Sequence, residues 1–256
     1  RLAGLTSFGL MLSPSLLAFN DTKNMLKRLI PSSNKKLPVV GLGTWQTFDV
    51  GNSIEKRKAL KQVLIEMQKL GGSVIDSSPM YGSSEYVVGD LTVKSNLASH
   101  FFYATKVWTS GRESGIQQMN NSFQKMKRKK MDLMQIHNLI DWRIHSKTLK
   151  EWKEKGKIKY WGITHYVDSS HSTLEKVIKQ EKPDFVQFNY SIRERNAENS
   201  LFNTIRENGT AVLINQPFDS GSLFRITKGK KLPEWCEEYG INSWGQYFLK
   251  FILSNE

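Results

Sequence analysis

The sequence predicts an α/β barrel of the TIM-type (β/α)8 kind, lacking the eighth strand and the C-terminal segment. Three observations lead there. Short apolar runs alternate with amphipathic stretches from residue 38 to residue 256, as strands alternate with helices around a parallel sheet. No predicted strand opens into a G-x-G-x-x-G turn, the mark of an open dinucleotide-binding sheet. Polar side chains with related chemistry end successive strands, which places them on one rim of a barrel. An open doubly wound sheet is the alternative.

The elements follow in order. PVVGLG at 38–43 is the first strand. Residues 54–72 carry apolar side chains at helical spacing and stop at paired glycines. SVID at 73–76 is the second strand, and 84–97 the next helix. HFFYATK at 100–106 is the third strand. The helix at 114–129 sets Ile116, Met119, Phe123 and Met126 on one side. MDLMQIH at 131–137 is the fourth strand, and a helix at 146–155 turns Leu149 and Trp152 inward. IKYWGI at 158–163, DFVQFN at 184–189 and TAVLIN at 210–215 are strands five to seven, with helices at 170–180 and 197–208 between them. A last helix covers 243–256. Seven units do not close an eight-stranded barrel, so an eighth strand and the segment beyond it are expected to be missing. GLGTW after the first strand comes nearest to a phosphate turn, but Trp45 and Phe48 do not suit one.

Composition narrows the function classes. The chain has 256 residues, 39% apolar and 24% charged, and a single cysteine, Cys236. No intrachain disulfide or cysteine metal cluster can form, and no metal site is expected. The net charge is +13, which suits an anionic partner. Much of it lies in the runs KRKK at 127–130, KEKGKIK at 153–159 and KGKK at 228–231, where helices end and loops begin. Without zinc-finger spacing, an aromatic platform or a long basic helix, no nucleic-acid partner is expected.

Residues 1–20 read RLAGLTSFGLMLSPSLLAFN. A basic residue before an apolar, small-residue stretch is the pattern of an export signal, which implies a periplasmic or exported protein; the alternatives are a flexible segment, strand hairpin or tag remnant, and a cytoplasmic protein. The stretch is too short and interrupted for a stable membrane span. Residues 21–35 read as a linker, and 36–256 as the incomplete barrel and catalytic domain.

The rim residues carry the chemistry. Asp76 ends strand two, Tyr81 follows in the loop, Lys106 ends strand three and His137 ends strand four. A strand-end aspartate alone caps a turn, and a strand-end lysine alone is solvated. Together they form a proton-transfer set. Tyr81 is a general acid whose free pKa near 10 is poorly matched to neutral pH. Lys106 would favour the phenolate and lower that pKa. Asp76 would hold Lys106 charged, and His137 would orient a substrate carbonyl. No side chain donates hydride, so a nicotinamide is implied. Thr164, His165 and Gln187, with Asn215 and Gln216 at the end of strand seven, are placed to bind one. Trp45, Phe48, Met80, Trp108 and Trp142 could line an apolar pocket or pack as core.

VIDSSPMYG, ATK, LMQIHN, YWGITHY and VQFNY, in this order over residues 36–254, resemble the aldo-keto reductases. The apparent export signal would make this a bacterial member. The resemblance implies an eight-stranded α/β barrel and metal-free, NADPH-dependent reduction of aldehydes and ketones, with NADH as the other nicotinamide. It implies Tyr81 as acid, with Lys106, Asp76 and His137 as its partners. It implies carboxamide contacts from Thr164, His165 and Gln187. His165 stands where the family usually has Asn. Gln216, or Asn215 with a one-residue shift, stands where the family has an aromatic that stacks on the nicotinamide; Phe218 could take that part. Two other readings remain: a nicotinamide-binding barrel with a regulatory role, and an unrelated phosphate-binding barrel such as an isomerase. Substrate and oligomeric state are not legible in the sequence.

Overall fold

In the computed structural model, residues 25–255 are described. The export-like stretch at 1–20 lies outside them. Two strands, β1 (Lys27–Ile30) and β2 (Lys35–Pro38), pair antiparallel with Ile30 opposite Lys35. Residues 21–35 therefore include much of a hairpin rather than a plain linker. Ile30 is the reason: its side chain is 2% exposed and packs against Ala104, Leu133, Tyr160 and Phe185. The short apolar stretch LKRLI offered too little periodicity to reveal this.

The remaining strands form one parallel sheet in sequence order: β3 (Gly41–Gly43), β4 (Val74–Asp76), β5 (Phe102–Val107), β6 (Met131–Ile136), β7 (Ile158–Thr164), β8 (Phe185–Asn189) and β9 (Ala211–Asn215). Every neighbouring pair runs parallel. The helices are α1 (Ile54–Lys69), α2 (Ser84–Lys94), α3 (Arg112–Lys125), α4 (Trp142–Glu154), α5 (His171–Glu181), α6 (Leu201–Asn208), α7 (Ser222–Thr227) and α8 (Trp244–Leu253). This is the α/β barrel architecture expected, with β3 and β9 as the edge strands among the described residues. The nearly continuous apolar strands β5 and β6 are buried on both faces, as parallel strands must be.

Alternation along each strand sorts the two sides. Val107, Met134, Ile136, Ile163, Val186 and Phe188 join the core shared with Leu149, Trp152, Leu174 and Val177 of the helices. The inward positions form two storeys. Ala104, Leu133, Tyr160, Phe185 and Ala211 fill the lower one with Ile30 as a plug. Asp76, Lys106, Gln135, Thr164 and Gln187 fall above. Register confirms the storeys: Lys106 pairs with Gln135, and Thr164 with Gln187.

Helix ends follow local chemistry. Ser243 accepts from the Gln246 backbone N–H at 3.2 Å and starts α8. Gly209, at φ +60°, closes α6 in the left-handed conformation. α4 begins at Trp142, four residues before the expected start at 146. Its first turn is held by Asp141 O, which accepts from Ile144 N–H and His145 N–H. An N-cap at Asp141 with φ +47° and no side-chain cap bond leaves little trace in sequence.

Phe48 is 1% exposed and belongs to the core, not to a pocket wall. Trp45, Met80 and Trp108 are exposed. Trp142 packs against the core while Arg143 lies over its ring at 4.4 Å. Among the described residues, no helix is long and apolar enough to cross a membrane.

Candidate active site

Lys106 is the centre of the upper storey. It is 1% exposed, and its Nζ donates to Asp76 Oδ2 at 2.7 Å and to the Ser77 carbonyl at 2.7 Å. Burial alone would push the ammonium pKa down, but Asp76, with Tyr81, outweighs burial and holds it above the ordinary lysine value. The other carboxylate oxygen, Asp76 Oδ1, accepts from Gln135 Nε2 at 3.0 Å. Gln135 escaped sequence reasoning. It points inward two residues before His137, and that alternation is the signal that could have found it.

Tyr81 reaches this group from a loop held at both ends. Tyr81 N–H donates to Ser78 O and Ser84 N–H to Tyr81 O, each at 3.0 Å. Asp49 Oδ1 accepts from the Ser83 backbone N–H at 2.9 Å and from its hydroxyl at 2.8 Å. Gly82, at φ +56°, lets Asp49 come this close: a Cβ there would stand 2.3 Å from Asp49 Oδ2. The anchored loop sets the Tyr81 ring centroid 5.2 Å from Lys106 Nζ. Burial raises the phenol pKa; Lys106 pulls it down but does not prevail, and Asp76 adds to the rise. The net direction is thus opposite to that expected from Lys106 alone. The phenol keeps its proton at neutral pH.

His137 completes the cluster. Its ring stands edge-on to Tyr81, with centroids 5.9 Å apart, and near Trp108 at 6.4 Å. Burial first, then Lys106 and His165, lower its pKa to about 3, so the imidazole is neutral. Nδ1 lies 3.0 Å from Ser78 Oγ. Ser78 Oγ already accepts from Met80 N–H at 3.4 Å, so its own proton can go to Nδ1. That tautomer leaves Nε2 as an N–H donor with no protein partner among the described residues. The following backbone is left-handed at Asn138 (φ +51°), Leu139 (φ +56°) and Asp141 (φ +47°). For Leu139 this is a strained conformation, of the kind held at functional sites.

The expected nicotinamide contacts divide. Thr164 Oγ1 accepts from Asn138 N–H at 3.2 Å and keeps a free proton. Gln187 is 6% exposed, and its side-chain amide has no hydrogen-bond partner among the described residues. Asn215 Oδ1 is buried without a partner. A carboxamide needs such a mixture of donors and acceptors, and an orphaned buried acceptor costs about 1–3 kcal/mol if left alone. These three residues fit it. His165 is engaged locally: Nδ1 accepts from Val167 N–H at 3.4 Å, and Nε2 lies 3.1 Å from Ser170 Oγ. Gln216 sits at φ +53°, just past the rim. Phe218 packs on Phe224, with centroids 4.9 Å apart. Among the described residues no group of acidic, His or Cys side chains could hold a metal ion.

The family model described as "Aldo/keto reductase family" matches residues 39–256. The chain is 25% identical over 233 residues to the NADH-specific methylglyoxal reductase of Escherichia coli (strain K12), covering 78% of this chain and 69% of that protein. Its fold is similar to an aldo/keto reductase from Brucella melitensis, with a TM-score of 0.69 and 21% identity over 90% of this chain and 85% of the other. It is also similar to an aldo-keto reductase from Klebsiella pneumoniae in complex with NADPH, with a TM-score of 0.66 and 20% identity over 81% and 74%. A match of this extent, over a barrel whose rim gathers Asp76, Tyr81, Lys106 and His137, places the chain in the aldo/keto reductase family.

Proposed function

We propose that the protein reduces an aldehyde or ketone to an alcohol with a nicotinamide cofactor, NADPH or alternatively NADH, and that residues 36–256 are its catalytic domain. Family membership and the relatives that use these two cofactors support the reading. The single observation that carries it is the buried Lys106 ammonium, held 2.7 Å from Asp76 and 5.2 Å from the Tyr81 ring.

Each residue has a distinct part. Tyr81 holds a proton at its phenol oxygen and gives it to the carbonyl oxygen. Lys106 stabilises the phenolate that remains. Asp76, steadied by Gln135, keeps Lys106 charged and aimed. Neutral His137 donates from Nε2 to the same carbonyl oxygen and orients it. Thr164, Gln187 and Asn215 would hold the carboxamide of the nicotinamide. When bound, a reduced nicotinamide supplies the hydride that side chains cannot. Trp108, beside His137, would form an apolar wall for the substrate.

Turnover with a panel of small aldehydes, followed by nicotinamide absorbance, tests the reading. Tyr81→Phe should lose nearly all activity while still binding cofactor. Full activity in that variant would rule out Tyr81 as the acid. A second reading, a nicotinamide-binding barrel with a regulatory role, draws on Gln216 standing where an aromatic was expected. It requires cofactor binding with no turnover on any carbonyl of the panel.

A further inference from the structure

Two of the basic runs are not used by the proposed reaction, yet folding brings them together. The loop after α3 and the loop after α4 meet at the N-terminal end of the barrel, where Lys130 Nζ lies 3.8 Å from the place a Cβ on Gly156 would take. The hairpin joins them: Ser33 Oγ and Tyr160 OH are 2.7 Å apart. Between these elements lies a cleft of about 320 Å³, lined by Ser32, Ser33, Lys35, Lys130, Lys153, Lys159 and Tyr160. Its size is that of a small-molecule site.

The charge in the cleft is unbalanced. Lys153 is paired with Asp184 at 2.8 Å, and Lys159 with Asp132 at 2.5 Å. Among the described residues, Lys35 and Lys130 have no carboxylate partner. Four lysines thus line the cleft, two of them paired with a carboxylate, with three hydroxyl-bearing side chains beside them. The cleft is at the opposite end of β7 from Thr164, about 20 Å away at the rise of a parallel strand. It is therefore separate from the residues proposed to bind the nicotinamide.

We propose that this cleft is a second ligand site, one that takes a small, soluble, multiply charged phosphate compound. Lys35 and Lys130 supply the uncompensated charge, and the hydroxyls of Ser32 and Ser33 supply directional hydrogen bonds to phosphate oxygens. The two paired lysines keep their carboxylates occupied, so those acids do not repel the anion.

Calorimetric titration of the whole protein with pyrophosphate, in the presence of saturating NADPH, tests this. The expected result is saturable binding that weakens as salt rises. Lys35→Gln with Lys130→Gln should weaken it at least tenfold with an unchanged melting temperature. Absence of saturable binding, or equal binding by the double variant, would overturn the proposal. A parallel arm uses vesicles of phosphatidylserine in phosphatidylcholine. Capture by vesicles without pyrophosphate binding would overturn it too, since the surface would then read a lipid headgroup.

Discussion

Lys106 Nζ donates to Asp76 Oδ2 at 2.7 Å from a position only 1% exposed to solvent. An ion pair so placed is costly to break, because removal of one partner strands the other charge in a low-dielectric interior. Asp76→Asn should therefore destabilise the fold by about 3–5 kcal/mol, measured by urea unfolding. The double variant Asp76→Asn with Lys106→Met should recover part of that loss. Because Lys106 is held above its ordinary pKa of 10.5, the pair contributes fully at neutral pH. The lysine's share of that stability is complete below pH 10.5 and is lost as pH rises through the elevated folded value. A single variant as stable as the parent would contradict the burial argument.

Proton transfer from Tyr81 should govern the rate. General acid catalysis contributes roughly 10²–10⁴-fold, so Tyr81→Phe should lower kcat by about that factor. The dissociation constant of NADPH, measured by protein fluorescence, should change little. The partner of the phenol is Lys106, whose ammonium keeps its bonds to Asp76 and the Ser77 carbonyl in the variant, so thermal stability should be retained.

Acid should act on His137. Below pH 6.5 the unfolded chain takes up a proton at this imidazole that the folded chain resists until about pH 3. Stability should fall as pH drops through this window, by up to roughly 4–5 kcal/mol if the whole difference is expressed. Replacing His137 by Gln removes the titration. The melting temperature of that variant should depend less steeply on pH between about 6.5 and 4. Equal slopes for variant and parent would show that other groups dominate.

Cofactor contacts should separate cleanly. Gln187→Leu removes an amide that has no partner among the described residues, and should weaken NADPH binding about tenfold, the effect of one hydrogen bond of roughly 1.4 kcal/mol. His165→Ala should change affinity less than twofold, roughly the scale of an uninvolved site, because both ring nitrogens are engaged with Val167 and Ser170. If His165→Ala were the more damaging of the two, the local bonding of His165 would have to break on cofactor binding.

The hairpin should act as a structural plug. Ile30→Ala deletes a side chain packed against Leu133, Tyr160 and Phe185, and should cost about 2–4 kcal/mol by leaving a cavity. Lys106 and His137 lie in the opposite storey, so KM and kcat at low temperature should be close to those of the parent. A large kinetic effect with little loss of stability would reverse this assignment.

The sequence by itself determined the barrel class, the order of its strands and the rim positions of Asp76, Lys106 and His137. These follow from periodicity, which burial on two faces imposes on every strand and helix. Tertiary structure decided what periodicity cannot encode. Gln135 joins Asp76 only because β6 stands beside β5 in register, two strands from β4. The hairpin at 27–38 is a strand pair only because the barrel floor offers Ile30 a place to pack. Lys106 does pull the Tyr81 pKa down, as its charge implies, but desolvation outweighs it and sets the net direction upward, and desolvation is not visible in sequence. The convergence of Lys35, Lys130, Lys153 and Lys159 likewise required the fold, because each lysine alone is a solvated charge and only their shared cleft gives them a common field.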